Sequence, residues 1–343
     1  MYTNESPVQK ITLLAIESSC DDTAAAVILN GKILSNIIAT QSIHEKYGGV
    51  VPELASRSHQ KNIVPLVDTA LKTAGITLNQ IDGIAFTQGP GLLGSLLVGN
   101  SFAKGLSIAL NKPLIAVNHL EAHVMAHLID NPNMEFPFLC LLVSGGHTQI
   151  LKVNAPTDME ILGRTKDDAA GEAFDKAAKI LGLPYPGGPL IDKYAEGGNP
   201  VAYTFGIGQM PNLDFSFSGF KTSVLYFIRD NLEKDATFID KNLSDICASI
   251  QHTIVTYLLS KLKKSAIQTG IKHIALAGGV ANNSGLRKDL YTLCQAQKWQ
   301  AYIPAFEYCT DNAAMIAMAG YYKYKAGETA SIDVVSYPSL KST

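Results

Sequence analysis

Two stretches of the chain repeat one pattern of apolar and polar positions. The first, ITLLAIESSCDDTAAAVILNGKILSNII, predicts a buried strand, an acidic turn, a second strand, an Asn-Gly turn and a third strand. The second, FPFLCLLVSGGHTQILKVNAPTDMEILGRT, predicts the same series with a Ser-Gly-Gly turn in the place of the acidic one. Each is followed by a strand that ends in a glycine turn and opens a helix: IDGIAFTQGPGLLGSLLVGNSFAKGLSIAL in the first half, IKHIALAGGVANNSGLRKDLYTLC in the second. Each half then adds a strand and a helix, PLIAV before NHLEAH and AYIPA before a helix near TDNAAMIAMAG. This order predicts a duplicated α/β protein with two domains flanking a cleft, at residues 11–130 and 134–327. LIDNPNMEFP, with Pro132 and Pro137, is the expected crossover. Residues 184–242 have no counterpart in the first half and are expected to form an inserted, partly helical subdomain.

Composition narrows the class. At 343 residues and 47% apolar content, the chain can bury a core in each of two domains. Net charge is −2, so no global basic field marks a nucleic-acid binder and any such contact must rest on a local patch. Arg57, His59 and Lys61 form one candidate cluster, and Lys221 in FSGFKT is another candidate. Five scattered cysteines without a C-x-x-C pair argue for a reducing compartment and against a thiolate zinc site. MYTNESPVQK lacks the features of a secretory signal, and the apolar run Phe136 to Val143 is too short to cross a bilayer. The expectation is a soluble cytoplasmic protein without membrane partners.

Candidate chemistry gathers at the turns and at one helix. LVSGGHTQ (142–149) and AGGVANN (277–283) suit phosphate binding, because glycine lets backbone N–H groups approach an anion closely. NHLEAHVMAH places His119, His123 and His127 four residues apart. On a helix, neighbours at that spacing differ by about 40° and lie about 6 Å apart along the axis, so either adjacent pair can share an ion. The outer two lie about 12 Å apart and cannot do so comfortably. Spacing does not choose between the pairs. Glu121 sits two residues after His119, rotated by roughly 200°, whereas the zinc-peptidase base directly follows the first histidine of its motif. A carboxylate would complete a His₂-carboxylate site. Asp311 holds the matching place in the second half, although helix N-capping is the commoner role for such an aspartate.

AIESSCDDTAAAV, YGGVVPELASRSH, TQGPGLLGSLLVG, NHLEAH, LLVSGGHTQI, DDAAGEAFDKAAKILGLPYPGGP, DFSFSGFKT, AGGVANNSGLR and CTDNAAMIAMAG follow one another from about Ile11 to Gly327. Together they resemble the tRNA N6-adenosine threonylcarbamoyltransferase family of the bacterial TsaD type. The resemblance implies an actin-like/Hsp70-like ATPase (ASKHA) fold. It implies transfer of threonylcarbamoyl from threonylcarbamoyl-AMP to the exocyclic amine of the adenosine just 3′ of the anticodon, in tRNAs that read codons beginning with adenine. It places metal ligands on His119, His123 and Asp311, for one divalent ion, iron or zinc. It places substrate contacts on Leu142, Val143, Ser144, Gly145 and Gly146, and on Asp175, Gly188, Asp192 and Asn283. It also implies a paralogous TsaB-type partner and a TsaE-type ATPase. His127 and the first ten residues have no counterpart in the family pattern.

The donor of that reaction already carries a good leaving group, so positioning and charge stabilisation are what an enzyme must add. Adenine's amine is a poor nucleophile that loses a proton on attack, and a carboxylate of ESSCDD is placed to take it. Asp21 is the chosen catalytic base, with Glu17 on the same turn. The competing readings are a metallopeptidase, which the position of Glu121 opposes, and an ATP-dependent kinase or ATPase of the same fold, which needs no histidine–aspartate site. A non-catalytic scaffold is a third, opposed by the intact ligand set.

Overall fold

The computed structural model describes residues 10–41, 44 and 47–338. Of the N-terminal decapeptide to which no role is assigned, all but Lys10 lies outside the described residues.

The first unit is built on a five-stranded sheet of order β3-β2-β1-β4-β5. Its strands are β1 (Thr12–Glu17), β2 (Thr23–Leu29), β3 (Lys32–Ala39), β4 (Gly83–Gly89) and β5 (Leu114–Asn118). β1 pairs antiparallel with β2 and parallel with β4. It is buried along its whole length, as a central strand covered on both faces must be. The β2–β3 hairpin turns on Asn30 and Gly31, both at positive φ, the geometry for which Asn-Gly is favoured. Helices α1 (Pro52–Ala74) and α2 (Leu93–Leu110) pack together and against β2, β3 and β4.

Among the described residues, α2 is the one helix long and apolar enough to cross a bilayer, a segment the strand-run reading passed over. In the fold its Ser95, Leu96, Gly99, Asn100 and Ala103 are buried against the sheet side, and a Cβ on Gly99 would strike Ser18 Oγ.

The second unit repeats the topology. Its sheet, β10-β9-β6-β7-β8, comprises β6 (Phe138–Val143), β7 (Thr148–Ala155), β8 (Asp158–Arg164), β9 (His273–Ala277) and β10 (Gln300–Tyr302). β6 is antiparallel to β7 and parallel to β9, as β1 is to β2 and β4. Between β8 and β9 lie four helices, α5 (Ala170–Ile180), α6 (Gly187–Ala195), α7 (Ser218–Leu232) and α8 (Phe238–Thr269), and α9 (Ser284–Gln297) follows β9. The DFSFSGF segment is absorbed into this core: Phe215, Phe217 and Phe220 are fully buried with Val224 and Tyr257.

One boundary differs from the sequence reading of 134–327. The chain divides after Pro132, but the segment from Asp311 onward belongs to the first unit. Helix α10 (Ala313–Lys325) packs on β1 through β5 and on the histidine helix. Its face of Ala313, Ala314, Met315, Ile316, Ala317, Met318, Ala319 and Gly320 is buried. A Cβ on Gly320 would fall 2.6 Å from Ala85 Cβ, so the helix lies directly on the sheet. Duplication predicts where α10 occurs in the chain; this small-residue face decides which sheet it covers.

Candidate active site

The histidines sit on a short helix, α3 (His119–Met125). Asn118 starts it by capping: its Oδ1 accepts from the N–H groups of Leu120 (2.8 Å) and Glu121 (3.2 Å). The helix breaks at Ala126, and His127 begins a separate turn, α4 (His127–Asp130). His119 Nε2 lies 3.4 Å and His123 Nε2 3.2 Å from Asp311 Oδ1. The two rings stand nearly perpendicular, with centroids 4.7 Å apart. One ligand atom from each of His119, His123 and Asp311 lies within 4.8 Å of the others. His127 and Glu121 are not members of this group. Asp311 directly precedes Asn312, whose side chain accepts from Met315 N, so Asn312 caps α10 and leaves the aspartate for the histidines.

The charge pattern fits a cation. Burial by itself would raise the Asp311 pKa, but the facing His119 and His123 rings hold it far below the usual carboxylate range. Burial opposes charge on His119 too, yet Asp311 and Glu17 outweigh it and raise its pKa well above the usual value. Burial lowers His123. Two carboxylates thus converge on one buried imidazole, and without an ion a proton on that ring must balance them. Two imidazoles and one carboxylate are a donor set for a divalent transition metal with open positions.

Glu17 ends β1 with 0% exposure and accepts from Ser19 N, Thr87 Oγ1 and His119 Nδ1. This saturated carboxylate is unsuited to the base role its turn invites. Asp21 lies half-buried beyond it. Burial, with Asp21 and Asp311 nearby, pushes the Asp22 carboxyl up to about 7, and its Oδ1 is buried without a hydrogen-bond partner, an environment that sequence reasoning missed. Its signal was only a second acid in the turn.

The basic cluster expected at Arg57, His59 and Lys61 loses its middle member, while Arg57 and Lys61 stay exposed one helical turn apart on α1. Residues two apart on a helix point in nearly opposite directions. His59 is 0% exposed beneath the acidic turn, 3.0 Å from the Cys20 carbonyl and 2.7 Å from Thr23 Oγ1, while Arg57 is exposed and paired with Glu53. Lys221 is exposed near the start of α7.

In the second unit, Leu142 and Val143 are the buried end of β6, and the turn closes through Ser144 N to His147 O at 2.8 Å. Gly145 and Gly146 are exposed at its tip, with open space where a Cβ would stand. The AGG turn meets this strand end: Gly278 has φ +87°, and its Cβ would fall 2.5 Å from Val143 O. Asp175 accepts through Oδ1 from Gly187 N (2.8 Å) and Gly188 N (3.1 Å), at the N-terminus of α6. Its alternative partner by sequence, Lys179, is not the one it takes. Burial raises the Asp175 carboxyl although these amides pull it down. Asp192 binds Ser284, accepting from its N–H (3.0 Å) and hydroxyl (2.7 Å). Asn283 caps α9 through Leu286 N (2.8 Å) and donates to Gln251 Oε1 (2.8 Å). Asp175, Gly188, Asp192 and Asn283 therefore tie α5, α6, α8 and α9 together. Beside them opens a cavity of about 780 Å³ lined by Asp192, Glu196, Gln251, His252, Ser284 and Lys288. Gln251, His252 and Lys288 carry no motif, and only the convergence of three helices reveals them.

Fold comparison defines the class first. Full-length HypF, solved with phosphate and nucleotide, superposes with a TM-score of 0.60 at 14% identity, covering 90% of this chain and 54% of HypF. The (R)-2-hydroxyglutaryl-CoA dehydratase component A of Acidaminococcus fermentans gives 0.53 at 17% identity, covering 92% and 99%. The fold is α/β of the actin-like ATPase type. Sequence comparison then identifies the family. The family model for TsaD, tRNA N6-adenosine threonylcarbamoyltransferase, matches residues 32–318. The curated proteins of that name from Christiangramia forsetii and Porphyromonas gingivalis are 59% and 57% identical, over 97% and 96% of this chain and 99% and 98% of theirs. The chain belongs to the tRNA N6-adenosine threonylcarbamoyltransferase family and is a tRNA-modifying transferase.

Proposed function

We propose that the chain transfers the threonylcarbamoyl group of threonylcarbamoyl-AMP to the exocyclic amine of the adenosine just 3′ of the anticodon. The substrates are tRNAs that read codons beginning with adenine. The observation that carries this reading is the convergence of His119, His123 and Asp311 within 4.8 Å, in a chain of this family. These three would hold one divalent ion, iron or zinc, which when bound would supply Lewis-acid polarisation and a clamp for the donor's anionic groups.

The chain's own groups account for the remaining work. Asp311 brings the single negative charge of the donor set, and two neutral imidazoles complete it. In the second unit, the exposed Gly145 and Gly146 suit the donor's phosphate through their amides, Ser144 adds its hydroxyl because its N–H is spent on His147 O, and Leu142 and Val143 fix the strand end behind them. Asp175, Gly188, Asp192 and Asn283 shape the nucleoside end; the carboxylates are acceptors suited to ribose hydroxyls. Asp21 is assigned to take the proton lost by the adenine amine, with Asp22 beside it.

A TsaB-type paralogue and a TsaE-type ATPase are the proposed partners, and the cytoplasm the proposed compartment. Purified chain with Fe(II) or Zn(II), those partners, threonylcarbamoyl-AMP and unmodified tRNA should yield N6-threonylcarbamoyladenosine, detected by mass spectrometry of digested tRNA. His119→Ala and Asp311→Ala should yield none. Product from either variant would remove the ion from the mechanism, and no product from the wild type would overturn the reading.

A further inference from the structure

We propose that Glu17 is the positioning residue of the metal site, its buried carboxylate holding the His119 ring through Nδ1–H so that Nε2 faces the ion. The inference rests on the reading of His119, His123 and Asp311 as metal ligands and adds a residue outside that set. Glu17 Oε2 lies 3.2 Å from His119 Nδ1, while Nε2 on the other side of the same ring lies 3.4 Å from Asp311 Oδ1. Glu17 and Asp311 can only accept when ionised, so without an ion both ring nitrogens carry protons; Nδ1 keeps its proton towards Glu17, and Nε2 is the nitrogen that gives its proton up to take an ion. The nitrogen that will meet the ion is thereby chosen before it arrives.

Glu17 is itself anchored. It is the last residue of β1, in the middle of the sheet, with 0% exposure. The Ser19 N–H donates to Oε1, and the Thr87 hydroxyl, from the adjacent strand β4, donates to Oε2. Every one of these neighbours is a donor, which suits an acceptor of fixed orientation and leaves no place for a mobile acid. His123 is held differently: its Nδ1 is buried with no hydrogen-bond partner, and its ring is held only through Nε2, 3.2 Å from Asp311 Oδ1. The two histidines are therefore unequal: both face Asp311 through Nε2, and His119 has in addition a carboxylate at Nδ1. Outer partners of this kind orient a ligating ring and raise its basicity, and their loss weakens metal affinity about 10- to 100-fold.

The test uses the full chain, with Zn(II) alone as the probe and a chromophoric chelator as competitor. Glu17→Gln should weaken Zn(II) affinity by about 10-fold or more. Thr87→Val, isosteric and with no atom in the donor set, should move affinity in the same direction by a smaller factor. In ¹⁵N-histidine spectra of the zinc-bound protein, Glu17→Gln should shift the His119 Nδ1–H signal and leave the His123 signals unchanged. Melting curves establish that each variant is folded, and Thr87→Val becomes the deciding variant should Glu17→Gln not fold. If His119→Ala releases zinc while Glu17→Gln and Thr87→Val bind it as the wild type does, this proposal alone fails. If His119→Ala retains zinc at full affinity, the metal reading beneath it fails instead.

Discussion

The β1–β2 and β6–β7 hairpins occupy the same place in two sheets of the same strand order, and they do opposite things. The first ends in Glu17, followed by Ser18 and Ser19, all buried, and its tip is pinned where Ser95 Oγ donates to the Cys20 carbonyl and His59 lies beneath. The second ends in Leu142 and Val143 and exposes Gly145 and Gly146 beyond them. One hairpin faces a carboxylate inward to hold a ring; the other faces amides outward. Fold alone cannot distinguish them, so chemistry at this position follows from side chains and not from topology.

Substitutions in each unit would test this contrast. The greatest loss should come from the first unit: Asp311→Ala or His119→Ala should reduce ion retention by more than the roughly 100-fold that outer partners control, read as metal content after dialysis. Next is the backbone that supports the open turn. Gly278→Ala should destabilise the protein by about 1–3 kcal/mol in urea denaturation, because φ is +87° and the new methyl would meet Val143 O. Gly145→Ala and Gly146→Ala should stay within about 0.5 kcal/mol of wild-type stability, since nothing stands where the methyl would go. Their loss should appear in calorimetric AMP affinity, and unchanged affinity would leave this turn without its phosphate role. The least change at the ion should come from His127→Ala, which should keep it while losing stability through a small buried cavity. Released metal in that variant would return His127 to the ligand set.

Much of this was legible in the residue pattern. Buried runs bounded by Asn-Gly and Gly-Gly turns announced β1 to β3 and β6 to β8, because a strand's two-residue period and a turn's positive φ leave local traces. Spacing left the histidine pair as a choice of two, and only the family resemblance pointed to His119 with His123. The break at Ala126 that separates His127 has no proline or glycine to mark it. The partner of Asp175 was illegible for another reason: it lies on the far side of a turn, at Gly187 and Gly188, not one helical turn away. His59 looked basic in a string and is buried in the fold, since neighbours in sequence need not share a helix face.

The return of α10 to the first sheet has a consequence for biosynthesis. While a ribosome is still adding Asn133–Thr310, the sheet face that α10 will cover lies open, and the proposed ion site has two of its three donors. With the proposed ligand set, metal loading on the nascent polypeptide would wait for Asp311. A bound ion would then distinguish finished molecules from those released early.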